Sequence, residues 1–217
     1  MKIRTDSQLF ACIDDDLIWR KRELTQFKFL LQDTKKRRDK NIALLRSAVP
    51  LLYAHWEGFI KAAAKNYLEF VASQRLKINE LSVNFIALSA RKILLEASCS
   101  KKIKQHIALT DFFRNGLQDK SSLPYKDAIN TRANLSSDVL REIIEILGLD
   151  YSPYETKAHI IDEKLLKFRN MIAHGEYLSI EIGDYETLNQ QVIEMMDDFK
   201  TQIQNATLLS GYKSKSC

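Results

Sequence analysis

The stretch NIALLRSAVPLLYAHWEGFIKAAAKNYLEFVASQ, residues 41–74, places Ile42, Leu45, Val49, Leu52, Tyr53, Trp56, Phe59, Ile60, Ala63, Tyr67, Leu68 and Val71 mostly three and four positions apart. That period fits one face of an α-helix and does not fit a strand, whose side chains alternate every second residue. No other segment of the chain is as apolar, so this helix is the expected spine of the fold. Pro50 has no amide hydrogen and crowds the turn before it, so it either kinks the helix or marks its true start.

Working outward, residues 7–33 carry Leu9, Phe10, Ile13, Leu17, Leu24, Phe27, Leu30 and Leu31 at helical spacing with one gap, which predicts a long amphipathic helix. Two shorter helices are expected over 79–97 and 101–117, where His106 reads as a packing or surface residue. Residues 118–134, QDKSSLPYKDAINTRAN, hold few large apolar residues and several turn formers. They are the best loop candidate, either an insertion over a site or a long connector. SSDVLREIIEILGLD is a punctuated helix, with Ser136, Ser137 or Asp138 as N-cap and Gly148 as C-cap. A last helix is expected over 184–208, capped by Asp184, after a short extended connector YLSIEIG.

With 6 Gly and 3 Pro in 217 residues there are few turns, and the reading is an all-α bundle forming one domain over 1–217. Within it, 1–40 is an N-terminal helix and basic turn, 41–208 the core, and 209–217 a flexible tail. Cys12, Cys99 and Cys217 are odd in number and widely spaced, which supports neither a disulfide framework nor a zinc site. The first residues carry Asp14, Asp15 and Asp16 where a signal peptide needs its apolar stretch, and no segment approaches about 18 apolar residues. The expected setting is the cytoplasm, without a membrane span, a metal or a cofactor.

The net charge of +5 permits a polyanionic partner without demanding one. KKRRDK, residues 35–40, makes Lys35, Lys36, Arg37 and Arg38 electrostatic candidates for an RNA backbone, although a solvated turn between helices explains the run as well. In LLYAHWEGFIK, Glu57 and Lys61 stand four apart and can pair on one helix face.

The chemistry concentrates in KFRNMIAHGEY, residues 167–177. Leu165, Leu166, Phe168, Met171 and Ile172 form a core-facing stripe, and Gly175 directly after His174 is placed to cap the helix. Asn170 and His174 share a face, whereas Arg169 lies about 140° from His174 around the axis. One helix does not easily bring both to one phosphate; a two-fold pairing of identical helices does, so the chemistry calls for a homodimer. Arginine binds phosphate through a charged fork, and imidazole moves protons near neutrality, a combination suited to RNA cleavage without a metal.

RNMIAHG, residues 169–175, resembles the Arg-x4-6-His motif of the HEPN superfamily, including the polar residue that often follows the arginine, here Asn170. LLYAHWEGFIK is similar to the second-helix signature of a RiboL-PSP-like prokaryotic branch. The resemblance spans residues 41–208 and implies an up-and-down helical bundle with extra helices, a dimer, and a metal-independent endoribonuclease that leaves a 2′,3′-cyclic phosphate. Such proteins act in toxin–antitoxin or anti-phage systems, so an antitoxin or defence partner protein is implied as well. By resemblance Arg169 and His174 are the catalytic pair, Asn170 orients the site or binds phosphate, Glu57 helps hold Arg169, and Lys61 is a lesser candidate. Some members carry a tyrosine two residues after the histidine; here that position is Glu176, and Tyr177 comes one later. The alternative is a HEPN-type interaction module that binds a partner protein or a nucleotide without turnover.

Overall fold

The apolar periodicities become helices throughout. The computed structural model describes residues 2–33 and 38–214, with the side chains of 33 and 38–41 outside that description, and among the described residues there is no strand. The helices are α1 (Asp6–Asp33), α2 (Arg38–Ser73), α3 (Val83–Ser98), α4 (Ile103–Arg114), α5 (Ser137–Leu147), α6 (Ser152–Glu155), α7 (Lys167–Ala173) and α8 (Ile182–Leu208). A π-helical segment, Ile160–Leu166, runs directly into α7.

α2 continues through Pro50 and starts well before it. The proline removes the N–H that would bond the Arg46 carbonyl, a local cost of about 3 kcal/mol. Burial of Val49, Leu52, Trp56, Phe59 and Ile60 around it works against that cost.

Side-chain pairs set the directions of the long helices. Lys200 bonds Asp14 at 2.7 Å, Lys21 bonds Asp197 at 2.6 Å and Gln32 bonds Glu186 at 2.8 Å, so α1 and α8 are antiparallel. Ile3 bonds Glu69 and Arg20 bonds the His55 carbonyl, so α1 and α2 are antiparallel too. The expected N-terminal helix is therefore part of the core: Leu9, Ile13, Leu17, Leu24 and Leu31 are all buried, while Leu30 is exposed.

The gap in the α1 periodicity, between Leu17 and Leu24, is filled by Arg20. Its guanidinium is buried against α2, bonded to Asp16 at 2.9 Å and to the His55 carbonyl at 3.3 Å. Gly58 makes room for it, since a Cβ there would lie 2.8 Å from Arg20 Nη1. A hydropathy pattern cannot register an arginine that packs like a core residue, with its stem in apolar contact and its head paired.

Two expectations need correction. Residues 209–214 are not a flexible tail: Tyr212 is buried, its ring stands edge-on to Phe70 at 5.6 Å, and its carbonyl accepts from Ser82 N at 2.9 Å. Asp184 does not cap the last helix, which begins at Ile182 after Glu181 and has no side-chain cap bond. Other punctuation follows the sequence: the Ser136 hydroxyl accepts from Val139 N, and Gly148 ends α5 in the left-handed region at φ +68°.

His55 is buried at the α1–α2 contact, with Nε2 3.0 Å from Glu23 Oε2 and its ring against Trp19. Burial lowers its pKa, the carboxylates of Glu23 and Asp16 oppose that shift, and Arg20 reinforces it. The unfolded histidine, titrating near ~6.5, takes up a proton first, so this contribution to stability is complete above that pH and is lost as the pH falls toward the folded value. The urea midpoint should therefore drop between about pH 7.5 and 5.5, and His55→Phe should flatten that dependence. A wild-type midpoint that rises on acidification would contradict the assignment.

Candidate active site

Arg169 and His174 stand on α7, and the structure gives them different surroundings. His174 ends the helix at φ −87°, ψ 5°, and Gly175 follows at φ +76°. The Glu176 amide bonds the Met171 carbonyl at 2.9 Å and the Gly175 amide bonds the Ile172 carbonyl at 3.1 Å, the paired closure that a left-handed glycine permits. Arg46 on α2 donates to the Glu176 carbonyl at 2.8 Å and fixes the chain just beyond the cap. His174 is exposed, and its imidazole has no hydrogen-bond partner among the described residues. Asn170, one turn earlier, is half-buried, and its side chain makes no hydrogen bond among the described residues.

Arg169 turns the other way, into its own chain. Its guanidinium carbon lies 4.2 Å from the centroid of the Tyr53 ring, and Nη2 donates to the Ala133 carbonyl at 2.7 Å and to Asn134 Oδ1 at 3.0 Å. Nε is buried without a partner. The guanidinium is thus held over the Tyr53 ring, with one nitrogen fixed to the loop before α5.

That loop, expected to be an insertion or a connector, is anchored at successive residues. The Tyr53 hydroxyl accepts from Leu135 N at 2.6 Å, and Asp162 of the π-helical segment accepts from the Ser137 amide at 2.8 Å. Between Asn130 and Asn134 the backbone is held in an unfavourable form: Arg132 and Ala133 lie in the left-handed region at φ +52° and +57°. Each such residue costs about 1–2 kcal/mol. The Arg132 amide bonds Asn130 Oδ1 at 2.8 Å, its side chain bonds Glu142 at 2.9 Å, and the turn presents the Ala133 carbonyl to Arg169. Backbone strain maintained by surrounding bonds is a common mark of a functional site.

Tyr53 was legible in the sequence only as a core residue. Burial raises its pKa, the Leu135 and Arg169 bonds oppose that rise, and the neighbouring Glu57 carboxylate adds to it. Glu57 forms no ion pair with Arg169 and none with Lys61 among the described residues, and Lys61 is exposed one turn further along α2. The expected Glu57–Lys61 pair is thus not formed, and Glu57 and Arg169 each act on Tyr53. Lys35, Lys36 and Arg37 lie outside the described residues, as does the side chain of Arg38.

The apolar stripe of this segment is less covered than expected. Ile161 and Leu165 are buried, but no residue of α7 is, and Phe168, Met171 and Ile172 are only half-buried. The π-helical turn shifts the phase of the pattern, so residues after Leu165 rotate off the core.

A comparison with protein-family models matches residues 10–212 to the family described as HEPN_MAE_28990-like HEPN. The chain belongs to the HEPN superfamily. The match takes in most of α1, which the sequence motifs alone left aside, and extends to Tyr212, which packs against Phe70. Searches of curated proteins and of solved structures found no match. Among the described residues of this HEPN protein no group of three metal-ligating side chains converges, and no helix is long and apolar enough to cross a membrane.

The anchoring of the loop has a measurable energy. Tyr53→Phe leaves the buried Leu135 amide without its acceptor and should lower unfolding stability by about 1–3 kcal/mol in urea, with the far-ultraviolet dichroism unchanged. A loss below about 0.5 kcal/mol would show that the hydroxyl does not hold the loop.

Proposed function

We propose that this HEPN protein is a metal-independent endoribonuclease, acting as a dimer in which two copies of α7 face one RNA strand. The observation that carries the proposal is the division of labour on α7. A permanently charged guanidinium is held in a built cradle, and an imidazole five residues later is left open and unpartnered. A helix end that only packed would need neither.

In the proposed reaction the ribose 2′-oxygen attacks the adjacent phosphorus and the bond from phosphorus to the 5′-oxygen breaks. The products are a 2′,3′-cyclic phosphate and a 5′-hydroxyl. One His174 takes the 2′-hydroxyl proton, the His174 of the second copy gives a proton to the departing 5′-oxygen, and Arg169 stabilises charge on the phosphoryl oxygens. Asn170, on the His174 face, binds or orients the phosphate. Tyr53, Ala133 and Asn134 position Arg169. Two-fold pairing is supported by the half-covered Phe168, Met171 and Ile172, which a second copy would bury. A toxin or anti-phage role, restrained by a partner protein, fits this activity.

A second reading has its own observation. Both contacts of Arg169 Nη2 are made to its own loop, as expected of an arginine whose task is structural. The same surface would then bind a partner protein or a nucleotide without turnover.

His174→Ala separates the two, because the exposed imidazole can be removed without disturbing packing. Cleavage of a fluorescent RNA should fall by about 10²-fold or more in His174→Ala, and similarly in Arg169→Ala. Induced expression of wild type should degrade cellular RNA, and neither variant should. Intact RNA with wild type and variants alike would favour the interaction module. Sedimentation should give a dimer at micromolar concentration, and a strict monomer would remove the two-copy site.

A further inference from the structure

At the far end of α2 from the α7 face, a pocket of about 400 Å³ opens between the N-terminal residues, the end of α2 and the loop before α5. Glu69, on its wall, is sixteen residues beyond Tyr53, which is about 24 Å along the helix. The pocket is therefore separate from the Arg169 cradle.

Three cations line it, Lys2, Arg4 and Arg75. All are exposed, and none has an ion-pair partner among the described residues. Among the lining residues the one carboxylate is Glu69, whose Oε1 accepts from the Ile3 amide at 3.4 Å. Arg75 stands at φ +52°, a conformation L residues rarely adopt, two residues past the end of α2. The carbonyls at a helix end would ordinarily repel an anion. Here three of the last four are engaged: the Ser73 hydroxyl and Gln74 Nε2 donate to the Phe70 carbonyl, the Gln74 amide to that of Val71 and the Arg75 amide to that of Ala72. Tyr125 contributes a half-buried aromatic wall.

Unpaired cations around a concave space of this size fit a multiply charged anion larger than a single phosphate. We propose that this pocket binds a small oligophosphate, either inorganic or the polyphosphate tail of a nucleotide whose base rests against Tyr125. The proposal does not rest on RNA cleavage.

Isothermal titration of the full chain with pyrophosphate and with ATP, both in EDTA, tests it. Saturable binding is expected. Arg4→Gln and Arg75→Gln should each weaken it at least about tenfold, whereas His174→Ala should leave it unchanged. ATP binding more tightly than pyrophosphate, with the difference lost in Tyr125→Leu, identifies the nucleotide; equal affinities identify the inorganic oligophosphate. No saturable binding of either probe, wild-type affinity in both arginine variants, or loss of binding in His174→Ala would overturn the site.

Discussion

Four of the five residues from Ala133 to Ser137 are tied down by three side chains distant in sequence, Tyr53, Asp162 and Arg169, and the organisation of α7 depends on it. Arg169 donates to Ala133 and Asn134, Tyr53 accepts from Leu135, and Asp162 accepts from Ser137. A segment with two left-handed non-glycine residues would relax if left alone; the bonds on either side of the strained turn hold it. The same contacts work in reverse on Arg169. Its long side chain has many rotamers in water, and the Tyr53 ring together with the two loop acceptors selects one.

This constraint explains why the two charged-chemistry residues of α7 behave differently. They diverge by about 140° on the helix, so a side chain that faces α2 and the loop cannot share the solvent face with His174. The π-helical segment before α7 adds to the effect by turning Phe168, Met171 and Ile172 partly away from the core. Together they leave a surface that carries an open histidine, a half-buried asparagine and incompletely covered apolar groups. Such a surface is suited to meeting another molecule.

Much of this was legible in the sequence, for physical reasons. Spacing by threes and fours specifies a helix and its buried face, so α1, α2, α5 and α8 could be read, α5 together with its capping serine and glycine. Gly175 after His174 told of a helix end because the left-handed closure favours glycine. The illegible parts have a common cause, which is that polar contacts between distant segments leave no periodic signal. Nothing in a run of turn formers says that Asn134 meets an arginine 35 positions later, and nothing in the apolar count says that Tyr53 serves as much through its hydroxyl and ring face as through its bulk. Arg20 was hidden for the same reason, as a charged residue in an apolar register. The π-helical shift was hidden because it breaks the period on which the reading relies.

The central claim is that α7 carries metal-independent RNA-cleaving chemistry, and the ends of the product strands report on it most directly. Purified protein incubated with a defined RNA in EDTA, with the fragments analysed by mass spectrometry, should yield 2′,3′-cyclic phosphate and 5′-hydroxyl termini. Fragments ending in 3′-hydroxyl and 5′-phosphate, or an RNA that stays whole, would contradict it.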